Sequence, residues 1–185
     1  LKECLSSGVS FSAADQLYSR ELLLRMGTLF RIGLVHEDEE FTPRALMASR
    51  AVVGLPGVKT YARSEREGSI TKSVTAKSRF KRCEGKFIVA RDTLGDGRYS
   101  ADSELRRLMD RRALSFANMA FREWAEGLCG SEYEQTLFEL AVQIDYSRLR
   151  FSLANARALR NWICMRLLRT VGVRRYVNLL NHVCR

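Results

Sequence analysis

From residue 146 to residue 185 the chain carries nine arginines and neither an aspartate nor a glutamate. That imbalance limits what the segment can become, because a folded surface without internal counter-ions repels itself. It needs an apolar seam to hold it together and an outside anion to relieve its charge. Leu159, Ile163, Leu167 and Val171 recur at four-residue spacing, an amphipathic helical stripe, and Gly172 follows at a C-cap position. A last helix is predicted from Val173 through Tyr176, Val177 and Leu180 to Cys184. At about 100° per residue, Arg157 and Arg160 fall to one side of the stripe and Arg166 and Arg169 to the other. Arg174 and Arg175 come just past the glycine. With the stripe facing a bundle, the guanidinium groups form a cationic rim suited to the sugar-phosphate edges of folded RNA. Arginine throughout, never lysine, favours bidentate pairing with phosphate and stacking on bases. The bland alternative is a solvated basic helix face.

The whole chain of 185 residues has 31 Lys and Arg against 21 Asp and Glu, a formal charge of +10. Only two segments carry that excess. Residues 59–82 hold eight cations and two acids, whereas 1–58 and 83–145 are slightly acidic. The stretch 57–82 has few large apolar residues and reads as an extended basic arm. Within it, Lys77, Arg79, Lys81 and Arg82 surround a single aromatic, Phe80, a composition suited to tracking a nucleic-acid backbone. A solvated linker has the same composition.

The remaining pattern is helical. Ser12 to Asp15 resembles a capping box opening a helix through Leu17, Leu22, Leu23, Met26, Leu29 and Phe30 to about Gly33. An acidic turn, Glu37 to Glu40, precedes Thr42-Pro43, read as N-cap and N1 of a short helix ending before Gly54 and Pro56. Phe87-Ile-Val-Ala90 reads as a short strand or a strapped-down segment. Ser100 caps a long helix over 101–127, with Leu105, Leu108, Met109, Phe116 and Trp124 near one stripe. Leu128-Cys-Gly130 breaks it, and Ser131 with Glu134 forms a second capping box before Leu137, Leu140, Ala141 and Ile144. The expected fold is mostly α. It comprises a helical extension over 1–58, an extended arm over 59–99 and a bundle of helix-turn-helix hairpins over 100–185.

Several functions are disfavoured. No run approaches the ~20 apolar residues of a membrane span. The first ten residues show no apolar core of a secretory signal, although a cleaved organellar transit peptide fits the start at Leu1. Five scattered cysteines without a C-x-x-C pair, and only His36 and His182, argue for a reducing compartment and against zinc. No P-loop, dinucleotide or nucleophile-elbow motif occurs, so no catalytic residue, cofactor or small-molecule substrate is expected.

Leu168-Arg-Thr-Val-Gly-Val-Arg-Arg-Tyr176 and the amphipathic helix after it resemble the closing segment of a known family, the fifteenth protein of the small ribosomal subunit. Gly130-Ser131 with Glu134, and Ala141-Val-Gln-Ile-Asp145, are similar to that family's Gly-Ser-Thr-Glu entry and Ala-Gln-Ile-Asn run. The likeness spans 130–185. It implies a small helical protein that binds an rRNA junction, with RNA contacts at Gly130, Ser131, Gln135 and the arginines from Arg169 to Tyr176. Asn155-Ala-Arg157 is the nearest stand-in for the family's Asp-His-His-Ser loop. A divergent core behind a long extension further resembles mitochondrial members, whose extensions contact neighbouring ribosomal proteins. Two alternatives stand beside this expectation. One is a DNA-binding regulator reading bases with Tyr176, Asn178 and Asn181; the other is a peripheral subunit of another large organellar complex.

Overall fold

The computed structural model describes residues 1–7, 11–27, 29–55, 57–58, 61–62, 64, 73–148 and 156–183. Every regular element among them is helical, as expected for a mostly α chain. They divide into two compact units, Leu1–Ser69 and Ile70–Arg185.

The first unit contains α1 (Lys2–Ser7), a 3-10 turn (Ala13–Asp15), α2 (Arg20–Met26) and α3 (Glu37–Ala48). Its small core is built on α3, where Phe41, Ala45 and Leu46 are buried together with Phe11, Leu22 and Leu34. Phe41 meets Tyr18 edge-on at 5.3 Å and Phe30 in a tilted pair at 4.7 Å. The long helix expected from Ser12 to Gly33 is cut down to α2. Ser19 is the true cap, accepting from the Leu22 amide, and Gly27 ends the helix at φ +71°. The acidic run is the first turn of α3 rather than a free turn, because carboxylates there meet the positive end of the helix dipole. Thr42-Pro43 therefore sits inside the helix. Thr42 and Pro43 are both buried there, and the Thr42 hydroxyl donates to the Phe11 carbonyl at 2.8 Å.

The second unit contains α4 (Ala76–Gly95), a 3-10 turn (Gly97–Ala101), α5 (Ser103–Gly127), α6 (Glu134–Val142), a 3-10 turn (Tyr146–Arg148), α7 (Ala156–Val171) and α8 (Val173–Val183). α4 overturns two expectations. The described end of the basic arm, from Ala76, is helix, and Phe87 to Ala90 form neither strand nor strap but the helix interior. Phe80, Cys83, Phe87, Ala90 and Leu94 are all buried, a spacing of three and four residues that makes a core-facing stripe. Thr75 caps the helix by accepting from the Ser78 amide at 3.2 Å. Of the rest of the supposed arm, 59–60, 63 and 65–72 lie outside the described residues.

α4 and α5 run antiparallel. The Cys83 thiol meets the Ala120 carbonyl at 3.2 Å, Phe87 lies edge-on to Phe121 at 5.0 Å, and the Arg106 guanidinium reaches the Leu94 and Asp96 carbonyls. Asp102, not Ser100, caps α5, accepting from the Glu104 and Leu105 amides. α8 closes the aromatic centre by setting Tyr176 edge-on to Phe121 at 5.3 Å. Burying large side chains such as Phe87, Phe121, Trp124 and Tyr176 contributes about 1.5–3 kcal/mol each to holding this unit together.

Candidate nucleic-acid interface

The arginine-rich tail forms an elbow. α7 ends when Gly172 adopts φ +81°, its amide donating to the Leu168 carbonyl at 2.8 Å. α8 begins at once, with the Tyr176 amide bonded to the Gly172 carbonyl at 3.0 Å. A residue with a Cβ is strained at that φ, so glycine permits the one-residue connection. Leu168, Tyr176 and Val177 anchor the elbow, each 1–2% exposed. Arg166, Arg169, Arg174 and Arg175 remain on the outside, all exposed.

The anchoring face differs from the expected one. Ile163 and Leu167 were expected to face the bundle with Leu159 and Val171, but they are 51% and 41% exposed. Leu168 is buried instead, with Cys164 and Val171 packed against the core beside it. The helix is thus turned by about one residue, roughly 100°. Packing of Leu168 beside Tyr176 and Val177 decides it, since those two side chains reach the core only when the residues just before Gly172 do. As a consequence Arg166 and Arg169 share the outer face with two aliphatic side chains. Arg157 and Arg160 also lie on α7, but their side chains fall outside the described residues.

Tyr176 is not an outward contact. Its ring is buried and its hydroxyl donates to Asn118 Oδ1 at 3.3 Å. Burial, then a hydrogen bond with Cys164, pushes its pKa far above the ordinary value. Its ring is therefore not placed to read a base, whereas Asn178 is exposed. Arg82 is likewise withdrawn from the expected site. It forms a 2.6 Å ion pair with Glu123 and donates to the Ser73 carbonyl, while buried Lys86 binds the other Glu123 oxygen. Such a paired, nearly buried cation gives little attraction to an outside phosphate.

The other expected residues are dispersed around the α5–α6 turn. Phe80 stacks on Tyr133 at 4.4 Å, which brings the start of α4 to that turn. There Lys77 is exposed, Lys81 pairs with Glu84 at 2.8 Å, and Arg79 lies so close to Gly127 that an added Cβ would meet its Cδ at 3.2 Å. The Gly130 amide donates to Glu134 Oε2 at 2.8 Å and the Ser131 hydroxyl donates to the Leu128 carbonyl at 2.7 Å. The capping box expected at Ser131 and Glu134 is not formed: Tyr133 is the N-cap of α6 with no side-chain cap bond, the Ser131 hydroxyl accepts from the Tyr133 amide at 3.3 Å, and Glu134 reaches back to Gly130 rather than to Ser131. Gln135 is exposed and donates to Glu139 at 2.9 Å. One turn along α6, Phe138 carries the Arg174 guanidinium over its ring at 4.8 Å. The stack holds that cation at the junction of α6 and α8.

Arg122 was not anticipated. It is exposed on α5 and close enough to act electrostatically on Tyr176, so it adds to the cationic side of the elbow. Its flanking Glu123 and Glu126 conceal it in any count of charge along the sequence. Among the described residues the ion pairs of this unit include Arg82 and Lys86 with Glu123, Lys81 with Glu84, Arg91 with Asp92, Arg98 with Asp96, Arg106 and Arg148 with Asp110, and Arg148 with Asp145. None of these includes Arg169, Arg174 or Arg175. Within the described residues no helix is long and apolar enough to cross a membrane, and no group of three or more His, Cys, Asp or Glu is placed to hold a metal. No family model, curated protein or solved structure matches the chain.

Proposed function

We propose that this chain is a structural RNA-binding protein of a small ribosomal subunit, of the mitochondrial kind, that clamps an rRNA junction with the α7–α8 elbow. The observation that carries the reading is the group of exposed guanidiniums at Arg169, Arg174 and Arg175, in a forty-residue stretch without a carboxylate. Rooted by buried Leu168 and Tyr176, the elbow presents these cations on a rigid support. Ordering them against phosphate therefore costs less entropy than ordering a loose tail. Ile163 and Leu167 between the arginines offer apolar contact to ribose and base faces. The ribosomal part of the reading rests on the likeness over 130–185.

The test is binding to a three-way-junction RNA at increasing salt. Contact with about six or more phosphates predicts an affinity loss on the order of 10³-fold or greater between 50 and 200 mM salt. Copurification of the chain with small-subunit rRNA after a high-salt wash is the expected cellular counterpart. A preference for duplex DNA over the junction, or a salt-independent affinity, overturns the reading.

A further inference from the structure

The first unit contains a groove of about 630 Å³ unrelated to the arginine elbow. Its walls include Leu17, Leu22, Leu46, Val52, Val53 and Leu55. Of these, Leu17 is 81% exposed and Val53 78%, although both would gain by leaving water. Apolar side chains gathered around a concavity, rather than scattered singly, mark an interaction site.

The backbone on one side of the groove says what kind of occupant fits. The chain leaves α3 through Ser49 in an extended conformation, φ −74° and ψ 140°. It then passes through Ala51, Val52, Val53, Gly54 and Leu55 with neither helix nor turn. Among the described residues no hydrogen bond engages the backbone of 51–54, and at Leu55 only the carbonyl is used, accepting from the Val58 amide at 3.3 Å. An exposed segment with unpaired amides and carbonyls, carrying Val52 and Val53, is a template for another strand. A helical occupant would leave those groups without partners.

The rim charge selects among strands. Arg25 lies 3.7 Å from Glu21 and donates to the Ala48 carbonyl at 2.9 Å, so this pair is largely self-satisfied. Glu3 and Asp15 then stand at the groove against Arg50 alone. The balance is acidic, and complementarity calls for a basic segment.

We propose that the groove is a strand-addition site. An extended segment of another polypeptide, aliphatic at alternate positions and carrying Lys or Arg, pairs with the edge at 51–55 and seats its aliphatic side chains against Leu17, Leu22 and Leu46. This inference does not rest on the RNA reading.

The test uses the full chain and synthetic fluorescein-labelled peptides. One alternates valine and threonine between terminal lysines; a second has glutamates in place of those lysines; a third has proline at alternate positions; a fourth is an amphipathic leucine-lysine helix. The lysine-ended strand is expected to bind saturably in anisotropy and to slow amide hydrogen exchange at 51–55. The glutamate-ended peptide is expected to bind at least tenfold more weakly, and the proline peptide, which cannot complete the ladder, not measurably. Val53→Lys, at an exposed position outside the core, removes the apolar contact and opposes the peptide's charge, and is expected to weaken the lysine-ended strand at least tenfold, with Val53→Thr close to the parent chain. The proposal is overturned by equal affinity for the glutamate-ended peptide, tighter binding of the helix, binding without protection at 51–55, or no binding at all. A concentration-dependent dimer that protects 51–55 overturns it in favour of a second copy of this chain.

Discussion

Arg82 and Arg175 come from the two stretches that give the sequence its positive charge, yet they end in opposite electrostatic conditions. Arg82 faces Glu123, 41 residues away, and shares it with Lys86. Arg175 is exposed at the elbow with no carboxylate anywhere from residue 146 onward. A basic stretch is therefore not a binding surface in itself. It becomes one only where folding fails to supply a counter-ion. Arg174 is intermediate, stacked on Phe138 but not neutralised by it.

Removing the counter-ion is the strongest way to break this contrast. Glu123→Ala removes the carboxylate shared by the nearly buried Arg82 and Lys86 and is expected to destabilise the second unit by about 3–5 kcal/mol in urea unfolding. A loss typical of a surface substitution, under about 0.5 kcal/mol, would mean that Arg82 is as open as Arg175. At the elbow, the combined Arg169→Glu, Arg174→Glu and Arg175→Glu chain is expected to lose RNA affinity on the order of 100-fold in low salt. Its log–log salt slope should flatten by about 2–3 units, with helicity unchanged by circular dichroism.

High pH probes the anchoring core beneath both regions. Burial holds the Cys83 thiol and the Tyr146 and Tyr176 hydroxyls well above their ordinary 9.0 and 10.0. The unfolded chain releases these protons first, so their stabilisation is complete below about pH 9 and lost as pH rises through 9 to 10 and beyond. The decline approaches about 1.4 kcal/mol per pH unit for each group and is read from urea midpoints against pH. The smallest expected effect is Tyr176→Phe, which removes the hydrogen bond to Asn118 at a cost of about 1 kcal/mol and makes the alkaline decline shallower. RNA affinity should stay at the parent level; a large drop would return Tyr176 to the interface.

The helical character of the chain was legible from apolar periodicity, most clearly in the long α5 and in the break at Gly172. The stripe at Phe80, Cys83, Phe87, Ala90 and Leu94 was equally periodic. It was obscured because Lys77, Arg79, Lys81 and Arg82 crowd its first turns and Gly85 interrupts them, a composition shared with loops. Thr42-Pro43 misled for a related reason. Local helix-start chemistry is a weak preference, and burial of Phe41, Ala45 and Leu46 overrides it. The outward positions of Arg169, Arg174 and Arg175 followed from the pattern, whereas Tyr176 and Arg82 left the expected site because their partners, Asn118 and Glu123, lie far off in sequence.

Composition and spacing alone determined that this chain is helical, that it is strongly cationic and that its last forty residues contain no acid. Tertiary structure decided which side of α7 turns inward, which arginines acquire a carboxylate, and that a groove bordered by an unpaired backbone edge opens beside α3. Periodicity and net charge are sums over neighbouring residues and can be read along the chain. Burial and charge pairing depend on which distant segments meet, and no single stretch contains that information.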